Sequence, residues 1–226
     1  MDDDHGPDGI TTLRLFPLPG VVFFPHSVLP LHIFEPRYRQ MTKDALEGDH
    51  LVTIVMIRRA ADWEGEGPPP LEEYGCVGRI VKHERLPDGR FNFLLLGLKR
   101  VRLLREVPSQ TPYRQAEAEV IDDVEGDEPD DSLGETLIAS FRRLHGESGV
   151  DPDFDDAIGS GLPLGLLSDL LAHAVPLPAA AKQVLLAEPR VEARAATLAR
   201  WLDDLADRTN PSSKTPRGFP PTFSEN

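Results

Sequence analysis

The chain has 226 residues and a formal net charge of −14, with 40% hydrophobic and 27% charged residues. This composition is that of an ordinary globular protein, and the negative charge opposes non-specific binding to nucleic acid or to an anionic membrane, because both are polyanions. The single cysteine, Cys76, excludes an internal disulfide and any multi-cysteine metal site. The first residues lack the basic and apolar segments of a signal peptide, and no apolar stretch is long enough to span a membrane. We therefore expect a cytoplasmic protein.

The amino-terminal half of the chain has the pattern of a β-rich lobe. Residues 13–18 and 28–34 are predicted strands on either side of a proline-punctuated connection, and Pro30 predicts an edge position or a bulge for the second strand because proline cannot donate to the ladder. A helix is predicted over 36–48. Further strands and one turn are predicted as follows: strands at 51–57, 74–82, 91–96, 98–105 and 113–121, and a hairpin turn at 87–89. So many short strands with one early helix predict a small, partly closed β-barrel over residues 10–121.

The carboxy-terminal part is predicted to be helical and to follow an acidic linker. Residues 115–140 contain ten acidic residues and no basic one, so we expect a solvated linker over 122–131. Helical patterns fill residues 132–207, with helices expected at 132–146, 164–174, 178–188 and 191–206 and a short segment at 154–158. The two ends, 1–9 and 208–226, are acidic and proline-rich respectively and are predicted to be disordered. The predicted fold class is α+β, a barrel lobe followed by a helical lobe.

Four blocks of the sequence resemble the amino-terminal domain family of Lon proteases. They are FPLPGVVFFPHSVLPLHIFEPRYRQM (16–41), YGCVGRI (74–80), LPDGR (86–90) and LLLGLKRVRLL (94–104). The resemblance covers about residues 13–205 and implies a PUA-like pseudo-barrel, the substrate-recognition module that precedes the ATPase in Lon. It implies a protein or peptide as the partner, with a separate Lon or other protease as a second one. The family also contains free-standing bacterial proteins, and we expect this chain to be one of them.

The sequence has no motif for the catalytic activities of a Lon protease. No G-x-x-x-x-G-K-[ST] string is present, and the serine motif of the Lon peptidase is absent. Residues 83–87 begin like a zinc-protease motif but have Pro87 at the second ligand position, and 146–150 follows a predicted helix where a nucleophile elbow would follow a strand. His26 and His32 have no acidic third ligand nearby. We therefore expect no metal, no cofactor and no catalytic residue, and predict a non-enzymatic recognition or adaptor protein; an unrecognised hydrolase is the enzymatic alternative.

The aromatic and arginine residues of the opening block are candidates for a peptide-binding groove between barrel and helices. They are Phe23, Phe24, Phe34, Arg37 and Tyr38. Exposed aromatic rings beside arginine are typical of a peptide-binding patch. Phe34 and Tyr38 are also expected in the core, whereas one of the adjacent Phe23 and Phe24 is expected to face outward, because neighbouring side chains in an extended chain point to opposite sides.

A basic stretch at 79–105 is the alternative candidate. It contains eight basic and two acidic residues. RNA binding is the alternative function, and it would use Arg79, Lys82, Arg100 and Arg102. However, these residues alternate with apolar ones, which favours the solvated outer face of a half-buried sheet over a nucleic-acid site.

Overall fold

The structure is a computed structural model that describes residues 10–58, 67–126, 131–145 and 151–209. The predicted disordered ends lie outside these residues, except for the last residues of the final helix. The strands are β1 (Ile10–Pro19), β2 (Val28–Ile33), β3 (Leu51–Ile57), β4 (Leu71–Arg85), β5 (Phe91–Val107) and β6 (Gln115–Ile121). The helices are α1 (Pro36–Glu47), α2 (Asp131–His145), α3 (Pro152–Ile158), α4 (Leu164–Ala174), α5 (Ala179–Ala187) and α6 (Val191–Thr209).

Five of these strands close into a ring: β1, β3, β4, β5 and β6. The long strand β5 closes it. The sheet order is β2-β5-β4-β3-β1-β6, and β5 also pairs with β6. With 17 residues, β5 is long enough to pair with β2 along its first half and with β6 along its second half, while β4 pairs along its other edge. The predicted partly closed barrel is thus confirmed. Strand β2 lies outside the ring at the sheet edge, where Pro30 predicts it.

Strand β5 differs from the prediction of two strands hinged at Gly97. It is continuous, and its register against β4 shifts near Gly97. A β-carbon at Gly97 would lie 2.2 Å from the carbonyl oxygen of Phe24. Glycine is therefore required there because another part of the backbone crosses the strand, and not because the strand bends apart.

Two apolar clusters stabilise the fold. The smaller one draws on all five ring strands and so fills the ring: Leu13, Leu15, Val55, Val77, Val101, Ala116 and Ala118. The larger one contains Phe23, Phe24 and Ile54 together with Leu171 and Leu198 of the helical lobe. Because one continuous cluster includes residues of both lobes, the helices pack directly against the outside of the barrel. Among the described helices, none is both long and apolar enough to cross a membrane.

The predicted solvated linker is in part an ordered connection. The Val124 amide donates to the Pro189 carbonyl at 2.9 Å, and the Val191 amide donates to the Val124 carbonyl at 3.0 Å. The Asp123 carboxylate accepts hydrogen bonds from Arg100 and Arg194. Residues 127–130 lie outside the described residues. Two basic side chains from distant elements therefore hold Asp123, whose side chain is still 30% exposed.

Candidate functional site

The structure places most of the predicted aromatic site in the core. Phe23 and Phe24 are 1% and 0% exposed, and Tyr38 is also buried. The expectation that one of the two adjacent phenylalanines faces outward is wrong. Residues 21–24 do not form a strand, so side-chain alternation does not apply, and both rings enter the large cluster. Phe34, expected mainly in the core, is instead 61% exposed. Arg37 is also on the surface, where it lies 4.5 Å from the Tyr38 ring centre and pairs with Glu35.

Phe34 lies at the end of a solvent-facing sheet surface, which we call the β2–β5–β4 face. Directly opposed residues of adjacent strands point to the same side of a sheet. Three such rows cross this face: Val28, Leu96 and Arg79; Pro30, Leu94 and Lys82; and His32, Asn92 and Glu84. The opposite side carries the buried residues Ile33, Phe91, Phe93 and Leu95. By the same alternation along β2, Phe34 continues the outward series.

A groove of about 410 Å³ opens at this face, a volume within the range of typical ligand-binding clefts. Six of its lining residues belong to the outward rows: Pro30, His32, Lys82, Glu84, Asn92 and Leu94. The other three, Leu31, His83 and Phe93, form the row that alternates with them. The lining contains no serine, threonine or cysteine. None of these common hydrolase nucleophiles is therefore available in the groove for the hydrolase alternative. Within the described part of the chain, no group of three or more histidine, cysteine or acidic residues is arranged to hold a metal ion.

The polar end of the groove is fixed by hydrogen bonds. His32 Nδ1 lies 2.6 Å from the Asn92 side-chain oxygen, and Arg90 approaches His32 Nε2 at 3.2 Å. With Nδ1 as the donor to Asn92, Nε2 is available to accept from the arginine. Arg90 also pairs with Asp88 at 2.6 Å. Arg39 of α1 donates to the Asp88 carbonyl at 3.2 Å, which ties the hairpin turn to the helix.

The basic stretch at 79–105 divides into paired and unpaired cations. Five members pair with acidic side chains: Arg90 with Asp88, Lys99 with Asp122, Arg100 with Asp123 and Asp169, Arg102 with Glu73, and Arg105 with Glu117. Arg100 is 2% exposed, so its predicted place on a solvated or nucleic-acid-binding face is wrong. Among the residues that the structure describes, Arg79, Lys82 and Arg85 have no acidic partner, and all three are in β4.

A buried ion-pair network joins the two lobes, and the sequence interpretation missed it. Asp169 of α4 contacts both Arg100 of β5 and Arg194 of α6, the latter at 3.3 Å. Asp123 completes the network, at 2.9 Å from Arg100 and 2.8 Å from Arg194. Two positive and two negative groups therefore balance. The available signal was Asp169 itself, the one acid in a largely apolar helix, since a buried charge needs a partner.

The fold is of the α+β class: a partly closed β-barrel lobe followed by a helical lobe. A family model described as the ATP-dependent protease La (LON) substrate-binding domain matches residues 12–204. This chain therefore belongs to the Lon substrate-binding domain family, and the resemblance seen in the sequence is confirmed.

Relatives and solved structures agree with this assignment. The Lon protease of Anaeromyxobacter dehalogenans and Lon protease 2 of Myxococcus xanthus are each 30% identical over 187 residues, which cover 80% of this chain and 22% of the relative. The chain thus spans about a fifth of the length of these curated relatives. The crystal structure of a Lon N-terminal domain protein from Xanthomonas campestris superposes with a TM-score of 0.64 at 22% identity and covers 84% of this chain and 98% of that one. The N-terminal domain of the Mycobacterium avium complex Lon protease gives 0.63 at 16% identity, covering 86% of this chain and 99% of that one.

Proposed function

We propose that this chain is a non-catalytic recognition domain that binds a polypeptide segment on the β2–β5–β4 face. The observation that carries the proposal is the exposed Phe34 ring at the end of that face, where it stacks on His32 with 6.3 Å between the ring centres. The row of His32 and Asn92 separates it from the apolar rows. The family description, substrate-binding domain of an ATP-dependent protease, supports a polypeptide as the ligand. The buried Phe23 and Phe24 then act by holding the barrel against the helices, and the binding contacts come from Phe34 and its neighbours.

The apolar residues of this face are contiguous, which distinguishes them from scattered exposed side chains. Val28 is 48% exposed, and its neighbour Leu96, with Leu94 and Pro30 in the next row, is also accessible to solvent. Single exposed apolar residues are normal, whereas a continuous patch rimmed by polar groups marks an interaction surface. An apolar side chain laid over these rows would remove them from water.

The position of β2 at the sheet edge suggests how a bound segment runs. An extended peptide can add to an exposed strand edge through its main chain. Pro30 removes one donor from β2, so continuous pairing along that edge is interrupted. Side-chain contacts with Phe34 and the apolar rows therefore supply most of the binding, with main-chain pairing as a supplement.

The ATP-driven proteolysis of the full-length relatives is assigned in this proposal to other domains or other chains. The matched region corresponds to their substrate-binding part. The chain would then act in the cytoplasm as an adaptor, holding a polypeptide while a Lon or other protease cleaves it. The protein alone should neither hydrolyse ATP nor degrade the polypeptide that it binds.

The experiment is a titration of the purified chain into a fluorescently labelled, permanently unfolded polypeptide, followed by anisotropy. Burial of a phenylalanine side chain contributes about 1.5–3 kcal/mol, so Phe34→Ala should weaken binding by roughly tenfold or more. The control is Leu104→Ala, which also removes an exposed apolar side chain but lies in β5. It lies roughly 26 Å along the strand from Leu96. The proposal fails if the unmodified chain does not bind, or if both variants bind as tightly as it does.

A further inference from the structure

The β2–β5–β4 face combines an apolar surface with a column of cations, and this combination restricts the ligand. Arg79 stands opposite Leu96 and Lys82 stands opposite Leu94. Adjacent strands are about 4.8 Å apart, so each cation lies one strand away from the apolar residue of its row. A segment lying on Leu94 and Leu96 would therefore have its side chains within reach of both cations.

Arg79 and Lys82 have no acidic partner among the described residues, although the chain has more acidic than basic residues. The chain has 38 acidic and 24 basic residues, a difference of 14. In the described part of the chain, five of the eight basic residues of 79–105 have acidic partners, yet neither Arg79 nor Lys82 has one. Both are exposed, and so they are available to a negatively charged group brought by a ligand.

The opposite end of the same face has a different charge. Glu84 lies on the β4 side of the row that contains Asn92 and His32, and an acidic ligand side chain placed there would meet like charge. Repulsion at one position and attraction at another together give specificity and orientation. An acidic group is thus favoured at the Arg79 and Lys82 end and disfavoured at the Glu84 end.

We propose, building on the proposed function, that the ligand is an extended apolar segment whose acidic side chains pair with Arg79 and Lys82. A nucleic acid fits the face less well. Its many phosphates would meet the net charge of −14. Two of the four residues predicted for RNA binding already pair with acidic side chains of the chain: Arg100 is buried, and Arg102 pairs with Glu73 at 2.6 Å on the surface.

The test uses three labelled peptides of one apolar sequence that carry glutamate, glutamine or lysine at the same two positions. Exposed ion pairs are weak, so the glutamate peptide should bind about three- to tenfold more tightly than the glutamine peptide, and the lysine peptide should bind least. The preference should shrink at high salt. It should vanish in the Arg79→Ala/Lys82→Ala double variant.

Arg85→Ala is the matched control. Arg85 is also exposed and unpaired within the described residues, but it stands opposite the buried Phe91, on the other side of the strand from Lys82. This variant should keep the full preference for glutamate.

Two kinds of failure can be told apart. If all three peptides bind equally, through a contact that Phe34→Ala removes, the proposed function stands and the acidic preference is wrong. If no peptide binds, both are wrong. A single-stranded RNA that binds more tightly than the glutamate peptide, and loses affinity in the double variant, would also overturn the inference.

Discussion

Removing the Asp169 carboxylate should destabilise the protein far more than removing an exposed carboxylate. Asp169 is fully buried, and the two arginines that it contacts, Arg100 and Arg194, are also buried. The substitution Asp169→Asn keeps the size of the side chain but removes its charge. Asp123 alone then faces both guanidinium groups, at 2.9 and 2.8 Å, so one buried positive charge has no counter-charge.

The expected cost follows from that uncompensated charge. Breaking a buried ion pair by removing one partner typically costs about 3–5 kcal/mol. A domain has a total stability of roughly 5–15 kcal/mol, so the variant should lose a large part of it. The loss should also weaken the attachment of α4 and α6 to β5, because Asp169 bridges all three elements.

Urea denaturation followed by circular dichroism measures this cost. The control is Asp203→Asn, which removes a carboxylate that pairs with Arg143 at 2.9 Å where both side chains are half exposed. That change should cost less than about 1 kcal/mol. A folded Asp169→Asn variant whose free energy of unfolding lies within about 1 kcal/mol of the unmodified protein would refute the reasoning.

Three further predictions concern glycine, cysteine and histidine positions. Gly97→Ala should destabilise by about 1–3 kcal/mol, because its methyl group would lie 2.2 Å from the Phe24 oxygen; Gly134→Ala in α2, with nothing within 4 Å, should stabilise by about 0.5–1 kcal/mol in the same urea assay. Burial raises the pKa of the Cys76 thiol, so a thiol reagent should label it only after denaturation, and rapid native labelling would contradict its burial. Burial, aided by the positive charge of Lys182, lowers the pKa of His173. His173 therefore takes up a proton near pH 6.5 in the unfolded chain but only at a lower pH in the folded chain. The free energy of unfolding should fall as the pH drops below about 6.5, and this fall should be shallower in a His173→Gln variant.

Local sequence signals located most of the secondary structure. Helix α4 has the predicted bounds, since its apolar run begins after one proline and ends before another. Strand β3 also has the predicted bounds, because an uninterrupted run rich in β-branched residues favours a buried strand. The edge position of β2 is one of the two outcomes, an edge or a bulge, that the missing amide proton of Pro30 predicts. These features depend on neighbouring residues alone.

The site depended on contacts that local patterns do not contain. Phe23 and Phe24 are both buried because their segment crosses β5 at Gly97, a long-range contact. Alternation along β5 suggested that Arg100 shares an exposed face with Arg102. Its burial instead depends on Asp169, 69 residues further along the chain. The apolar part of the β2–β5–β4 face likewise exists only once the register of three strands is known.

The most direct test of polypeptide recognition is site-specific photocross-linking to a labelled unfolded polypeptide. A benzophenone side chain replaces Phe34 in one variant and Leu104 in a second, and each is irradiated with the polypeptide. The account predicts a strong cross-link from position 34 that an excess of unlabelled polypeptide abolishes, and little from position 104. Equal cross-linking from both positions, or none from position 34 while binding persists, would contradict it.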